Sequence, residues 1–284
     1  MSPLVTREEP RVVDSLAVAG TPNGGLAATG QFIAKTLSIA AMEVRKLRHD
    51  PMELLTRAIQ PLLWLLVFGQ VFGRLHALPT GALTYTEFLA PGILAQSVLF
   101  VAIFYGISVI WERDLGIVHK FLVSPTPRAA LVLGKALSAG IRALSQAVIV
   151  YLASLALGVR MNLAPQALLG VLLFILLGAA LFATFSLIIA SLVKTRERFM
   201  GIGQVLTMPL FFASNAIYPV AIMPDWLKDI VAVNPLTYEV DGLRALMLES
   251  GVSSLGLGLD ALVLVGALAL LVALGARLYP HIVT

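Results

Sequence analysis

The sequence predicts an all-α polytopic membrane protein: six transmembrane helices, an N-terminal amphipathic interfacial helix, and two short outer helices between spans 5 and 6. Three observations carry this. Only 13% of the 284 residues are charged and 58% are hydrophobic, whereas a soluble domain is about 25% charged. Several apolar runs reach about 20 residues, the length of a helix that crosses a bilayer. The cations are also lopsided. With six spans and the N-terminus inside, 16 of the 20 Lys and Arg residues fall on the inner side. Only Arg74, Arg160, Lys228 and Arg244 fall on the outer side. Such a bias places both termini in the cytoplasm of a multi-pass protein of the cytoplasmic membrane. In that setting the net charge of +4 reflects orientation and calls for no nucleic-acid partner. The chain has no cysteine, so disulfides and thiolate metal sites are excluded.

The elements follow in order. Residues 1–30 carry Pro3, Pro10, Pro22, Gly24 and Gly25 among scattered charges, and read as a disordered cytoplasmic tail without a signal peptide. Over residues 31–50, Ile33, Leu37, Ala40, Ala41, Val44 and Leu47 share one helical face, while Lys35, Arg45, Lys46 and Arg48 supply cations. That pattern predicts a helix lying in the membrane surface against anionic lipid headgroups; packing on a soluble partner is the alternative. Residues 57–280 form the six-span domain.

Span 1 is expected over Ala58–Leu75, where Gly69 and Gly73 make a GxxxG spacing that allows close helix approach, a candidate dimer interface. Span 2 is expected over Phe88–Trp111, span 3 over Leu137–Val159, and span 4 over Pro165–Val193. Span 5 is expected over Phe199–Tyr218 with a kink at Pro209, and span 6 over Leu257–Tyr279. Between spans 5 and 6, Pro219, Pro224 and Pro235 cut the chain into pieces too short to cross. Two short amphipathic helices are expected there, on or dipping into the outer leaflet. One spans 226–232 and is capped by Asp225. The other spans 236–249, with Leu236, Val240, Leu243 and Leu246 or Met247 on one face.

The segment from Glu112 to Arg128, ERDLGIVHKFLVSPTPR, lies between two apolar runs. Its charges and prolines cannot sit in hydrocarbon, so it emerges in water on the basic side. It is either a surface on which a soluble partner pushes or a solvated connection. Catalytic patterns are missing. His49, His76, His119 and His281 form no HExxH, there is no GxSxG, and no metal-ligand set is evident. Gly134-Lys135 lacks the rest of a phosphate-binding loop. The 16 carboxylates read as tail, loop or span-end residues, so no buried proton relay is expected. The chain is therefore expected to be no enzyme, and any uphill work must come from another polypeptide.

Three blocks resemble the permease subunits of type-2 ATP-binding-cassette exporters, in particular the daunorubicin-resistance-like branch. The first is Glu112-Arg113-Asp114-Leu115-Gly116 with Leu122-Val123-Ser124-Pro125 and Gly134-Lys135; the second is Phe211 to Pro219 with Met223-Pro224-Asp225-Trp226-Leu227; the third is Asn234-Pro235-Leu236-Thr237-Tyr238 with Asp241-Gly242-Leu243-Arg244. The resemblance covers about residues 30–280. It implies a half-transporter in which two permease chains, identical or related, dock two cytosolic ATPases. This chain would carry no cofactor, with ATP and Mg²⁺ bound by the partner ATPase. An ATPase-coupling loop of Glu112, Arg113, Asp114, Gly116 and Lys120 is implied. So is a substrate route between the two chains along spans 1, 2 and 5, for a drug, lipid, glycolipid or polysaccharide. Gln70, Gln96, Tyr105, Gln204, Ser214 and Asn215 are the polar residues of those spans that could line it; interhelical hydrogen bonds are their alternative use. A secondary transporter or channel would instead need a midplane ion site. A membrane enzyme would need a nucleophile and base at depth, and a scaffold would need neither.

Overall fold

The computed structural model describes residues 58–75, 78–115, 128–193 and 195–278. The tail 1–30, the interfacial helix 31–50 and the loop residues 116–127 lie outside the described residues. What remains is all helix and connection. The helices are α1 (Ala58–Leu75), α2 (Tyr85–Asp114), α3 (Arg128–Ala156), α4 (Pro165–Leu192), α5 (Arg196–Phe212), α6 (Asp225–Val233), α7 (Pro235–Met247) and α8 (Leu257–Leu278).

Five of these, α1, α2, α3, α4 and α8, are long and apolar enough to cross a membrane. The expected sixth full span is shorter. α5 has 17 residues, about 26 Å at 1.5 Å per residue, and its first turn is charged. It stops at Phe212 instead of continuing to Tyr218 for a local reason. Pro209 removes one internal hydrogen bond, and side chains then take the carbonyls that a longer helix would have used. Ser214 donates to the Phe211 carbonyl (2.7 Å), and Tyr218 donates to that of Phe212. Asn234 Nδ2 donates to Leu210 (2.7 Å) and Ala213 (2.5 Å). The chain is thereby turned away at the level where α2 begins.

Local chemistry sets most boundaries. α2 starts three residues before the expected Phe88 because Thr84 and Glu87 form a capping box, with Glu87 Oε2 accepting from Thr84 N at 2.8 Å. α3 starts at Arg128, directly after Pro127, rather than at Leu137. α4 opens with Pro165 at its first position, where the missing N–H costs nothing. α6 departs from expectation in its cap. Pro224, not Asp225, precedes the helix and no side chain caps it; Asp225 is instead the first helical residue and pairs with Lys228 at 2.9 Å. α7 is capped by Asn234, whose Oδ1 accepts from Leu236 N at 3.0 Å. α1 contains a π-helical stretch, Trp64–Phe68. It fans Trp64 toward Phe211 and Phe68 toward Phe72.

α2 and α4 form the centre, with α3, α7 and α8 packed around them. Close approaches depend on glycine. Gly92 of α2 faces the backbone of Ala216, Gly106 of α2 faces Ser186 of α4, and Gly242 of α7 lies on the Phe174 ring. The expected apolar face of α7 is buried, since Leu236, Val240, Leu243 and Met247 are fully covered. However, Thr237, Glu239, Asp241 and Arg244 are buried as well. α7 is therefore inserted between α2, α4 and α8, and does not lie on a surface. The Glu239 carboxyl presses on Gly178, near the middle of α4, with neither oxygen hydrogen-bonded. The expectation that no carboxylate is buried at depth fails here. Its cause is the inserted helix, which no apolar run of its own announces. α1 and α8 are the least covered spans, with Leu63, Val67, Leu262 and Leu270 exposed.

Candidate coupling surface and transport route

The helices alternate between two ends. One end gathers the foot of α2 and the α4–α5 junction. Arg113 Nη1 donates to the Val193 carbonyl at 3.2 Å, one of the acceptors that a helix C-terminus leaves open. Asp114 Oδ1 accepts from Arg113 Nη2 at 3.3 Å, and Asp114 Oδ2 accepts from Arg196 Nη2 at 2.9 Å. The Arg196 guanidinium also stacks on Trp111, 3.7 Å from the ring centroid. The last turn of α2 is thus tied to the last turn of α4 and the first turn of α5. The chain enters 116–127 directly after this clamp. Of the residues expected there, Arg113 and Asp114 are in the clamp. Glu112 is on the helix, but its side chain, like Gly116 and Lys120, lies outside the described residues. Arg196 was legible only as a loop cation; its role depends on a partner 82 positions away.

The other end gathers the start of α2, the α3–α4 turn, residues 213–218 and α7. Arg244 is its centre. Its Nη2 donates to the carbonyls of Asn215 (2.8 Å) and Phe88 (3.3 Å), and the guanidinium covers the Phe88 ring at 4.0 Å. Burial pulls its pKa down to about 10, which leaves it cationic at neutral pH. Asp241, one turn earlier, accepts from Ser254 N (2.8 Å), Leu255 N (3.1 Å) and the Ser253 and Ser254 hydroxyls (3.0 Å each). That folds the segment before α8 back onto α7. Ser253 also hydrogen-bonds Asp260 of α8 at 2.9 Å. On the rim, Arg160 Nε donates to Glu87 Oε1 at 3.0 Å, and the pairing raises the arginine pKa further. The Glu239 carboxyl lies deeper along α7, fully buried and with no hydrogen-bond partner on either oxygen.

The polar residues expected along a route do not form one group. Gln70 of α1 and Gln204 of α5 are exposed. Gln96 is buried and lines a cavity of about 260 Å³ between α1, α2 and α3. Tyr105 is half-buried beneath the Arg142 guanidinium, 5.5 Å away. Ser214 and Asn215 are buried in the turn after α5, where they cap that helix and hold Arg244. Of the two spaced glycines, Gly69 is used within the chain, its carbonyl accepting from Thr86 at 3.2 Å, while a side chain at Gly73 would meet open space.

A family model described as ABC-2 type transporter matches residues 35–248. The chain belongs to the ABC-2 permease family. Its relatives include the transport permease ycf38 of Cyanophora paradoxa, 29% identical over 222 residues, covering 77% of this chain and 76% of that one. The daunorubicin resistance ABC transporter permease DrrB1 of Streptomyces coeruleorubidus is 25% identical over 247 residues, covering 87% and 86%. The Escherichia coli K12 multidrug ABC transporter permease YbhR is 32% identical over 172 residues, covering 59% of this chain and 45% of the relative. In this ABC-2 permease the matched region holds the α2 foot, the clamp to α5, and α7 with its Arg244 brace.

Proposed function

We propose that this chain is the membrane half of an ATP-driven exporter of the cytoplasmic membrane, pairing with a second permease chain and with a separate cytosolic ABC ATPase. The ABC-2 family match supports the partnership. In this reading ATP and Mg²⁺ bind to the partner, since no phosphate-binding loop pattern stands in this sequence. The observation that carries the coupling is the clamp: Arg113, Asp114, Trp111 and Arg196 join the end of α2 to α5, where the 116–127 loop begins. In this reading Glu112, Gly116 and Lys120 contact the ATPase, and its closure pulls the foot of α2. The pull reaches α5 through Asp114, and α5 leads directly into the Asn215–Arg244 brace at the opposite end. The clamp faces the cytoplasm, since 16 of 20 cations fall on that side. The cargo is hydrophobic or amphipathic, and named drug-resistance relatives support that class.

The test is co-purification with a cytosolic ATPase followed by transport in vesicles. Gly116→Trp and Arg113→Glu are expected to leave the chain folded while ATP hydrolysis no longer drives export. Coupled export at the normal rate in both variants overturns the assignment. Orientation is tested by labelling: Asp229→Cys reacts with an impermeant thiol reagent from outside and Glu197→Cys does not. One observation favours a second reading, a proton-driven transporter: the lone carboxyl of Glu239 at mid-helix depth. Export that continues without ATP and is abolished by Glu239→Gln would select it.

A further inference from the structure

Three spans show what faces lipid in this protein. Between their first and last turns, the exposed residues of α4, of α8 and of α3 from Lys135 onward are Leu, Val, Ala and Gly, among the described residues. Hydrocarbon requires this, because it offers a polar group no partner. α1 and α5 depart from that pattern. Gln60 and Gln70 of α1 and Gln204 of α5 are exposed. All three sit at depth. Gln60 lines the same cavity as Gln96 and Gln146, which lie near the middle of α2 and α3. Gln70 falls inside the apolar run that makes α1 a candidate span. Gln204 is the middle residue of α5. On α1 the covered residues Ala58, Pro61, Leu65 and Gly69 mark one side. Gln60 and Gln70 lie on the other, with Leu63 and Val67, 53% and 50% exposed, between them in sequence. Trp64 packs edge-on against Phe211 and Phe212, with centroids 5.7 and 6.5 Å apart, so α1 and the end of α5 adjoin.

We propose that a second copy of this chain seats on the uncovered sides of α1 and α5, and that Gln60, Gln70 and Gln204 hydrogen-bond across the contact. The chemistry of these side chains selects the occupant. Lipid tails would leave each carboxamide unsatisfied, whereas a facing helix with its own carboxamides satisfies it. A carboxamide carries donors and an acceptor on one group. Glutamines on two identical chains can therefore pair directly about a twofold axis, which two lysines or two aspartates cannot. Such a contact is self-complementary, and an identical chain completes it. Leu63, Val67 and Val205, all exposed, supply apolar area beside the polar contacts. Gln70 and Gln204 then join the two chains instead of lining the route for cargo. The inference rests on the reading that two permease chains pair. It adds which face they use and that a copy of the same sequence fits it.

Pairing is measurable without the ATPase. The full-length chain, carrying a donor or an acceptor fluorophore, is reconstituted into phosphatidylcholine vesicles over a range of protein-to-lipid ratios. Energy transfer then gives the dimer dissociation constant. One hydrogen bond between spans is worth about threefold in affinity, and symmetry removes two when both copies are substituted. Gln60→Leu, Gln70→Leu and Gln204→Leu are each expected to weaken pairing about eightfold. Methionine at the same positions, with a side chain of nearly the same length, gives the same loss. Leu152→Ala of α3 and Leu262→Ala of α8, on exposed sides that carry no carboxamide, leave the constant unchanged. The sequence has no cysteine, so a bifunctional thiol reagent provides a second readout. Leu63→Cys with Val205→Cys is expected to give linked dimers, and Leu152→Cys with Leu262→Cys is not. A chain that stays monomeric at the highest ratio overturns the proposal. So does a dimer that none of the three leucine substitutions weakens, or one linked through the α3 and α8 cysteines. In the first case pairing with a related permease is what remains of the two-chain reading. In the other two the identical pair stands and this face is lost.

Discussion

Replacing Asn234 by aspartate separates two roles that the side chain plays at once. Its Oδ1 caps α7 by accepting from Leu236 N at 3.0 Å, while its Nδ2 donates to the carbonyls of Leu210 (2.7 Å) and Ala213 (2.5 Å) at the end of α5. As a cap, aspartate is as good as asparagine. As a donor it is useless, and its second oxygen would face two carbonyl oxygens. The residue is buried, so both carbonyls would be left without water. Two lost bonds at about 1 kcal/mol each, with added cost for buried orphan acceptors, give roughly 3 kcal/mol. For a chain of this size that corresponds to a melting temperature lower by about 6–12 °C. The assay is thermal unfolding of the purified chain in one detergent, comparing Asn234→Asp and Asn234→Leu. Both are expected to fall, aspartate at least as far as leucine. An aspartate variant that melts with the unaltered protein would refute the argument, because Asn234 would then be a cap and nothing more.

Other consequences concern packing and charge. Gly178→Ala drives a methyl group into the Glu239 carboxyl; a loss of about 1–3 kcal/mol is expected, and Gly178→Ala with Glu239→Ala should melt above the single glycine variant. In the half-exposed Asp114–Arg196 pair, either single charge reversal should change stability by less than about 1 kcal/mol yet uncouple export from ATP hydrolysis. The double swap, Asp114→Arg with Arg196→Asp, should recover coupling in the same vesicle assay. Gly242→Val should prevent α7 from seating on Phe174, seen as loss of a monodisperse peak in gel filtration.

The membrane class and the positions of α1, α4 and α8 were legible in sequence because bilayer thickness imposes one run length on any single spanning helix, with no partner needed. The capping box Thr84-Tyr85-Thr86-Glu87 was also there to be seen, and would have moved the start of α2 to its observed place. Asn234-Pro235 marked the start of α7 for the same local reason. What stayed hidden depends on distant partners. α5 ends early because Asn234, more than twenty positions on, takes its carbonyls. Arg196 looks like any loop cation until Asp114 and Trp111 are beside it. Glu239 and Arg244 read as polar residues of a short helix on or dipping into the outer leaflet, and only the insertion of α7 among α2, α4 and α8 buries them. Sequence alone thus determined that the chain lives in a membrane and roughly where it crosses, since hydropathy is a property of each segment by itself. The tertiary structure decided which polar groups meet, because a hydrogen bond in a low-dielectric interior is fixed by which helices touch.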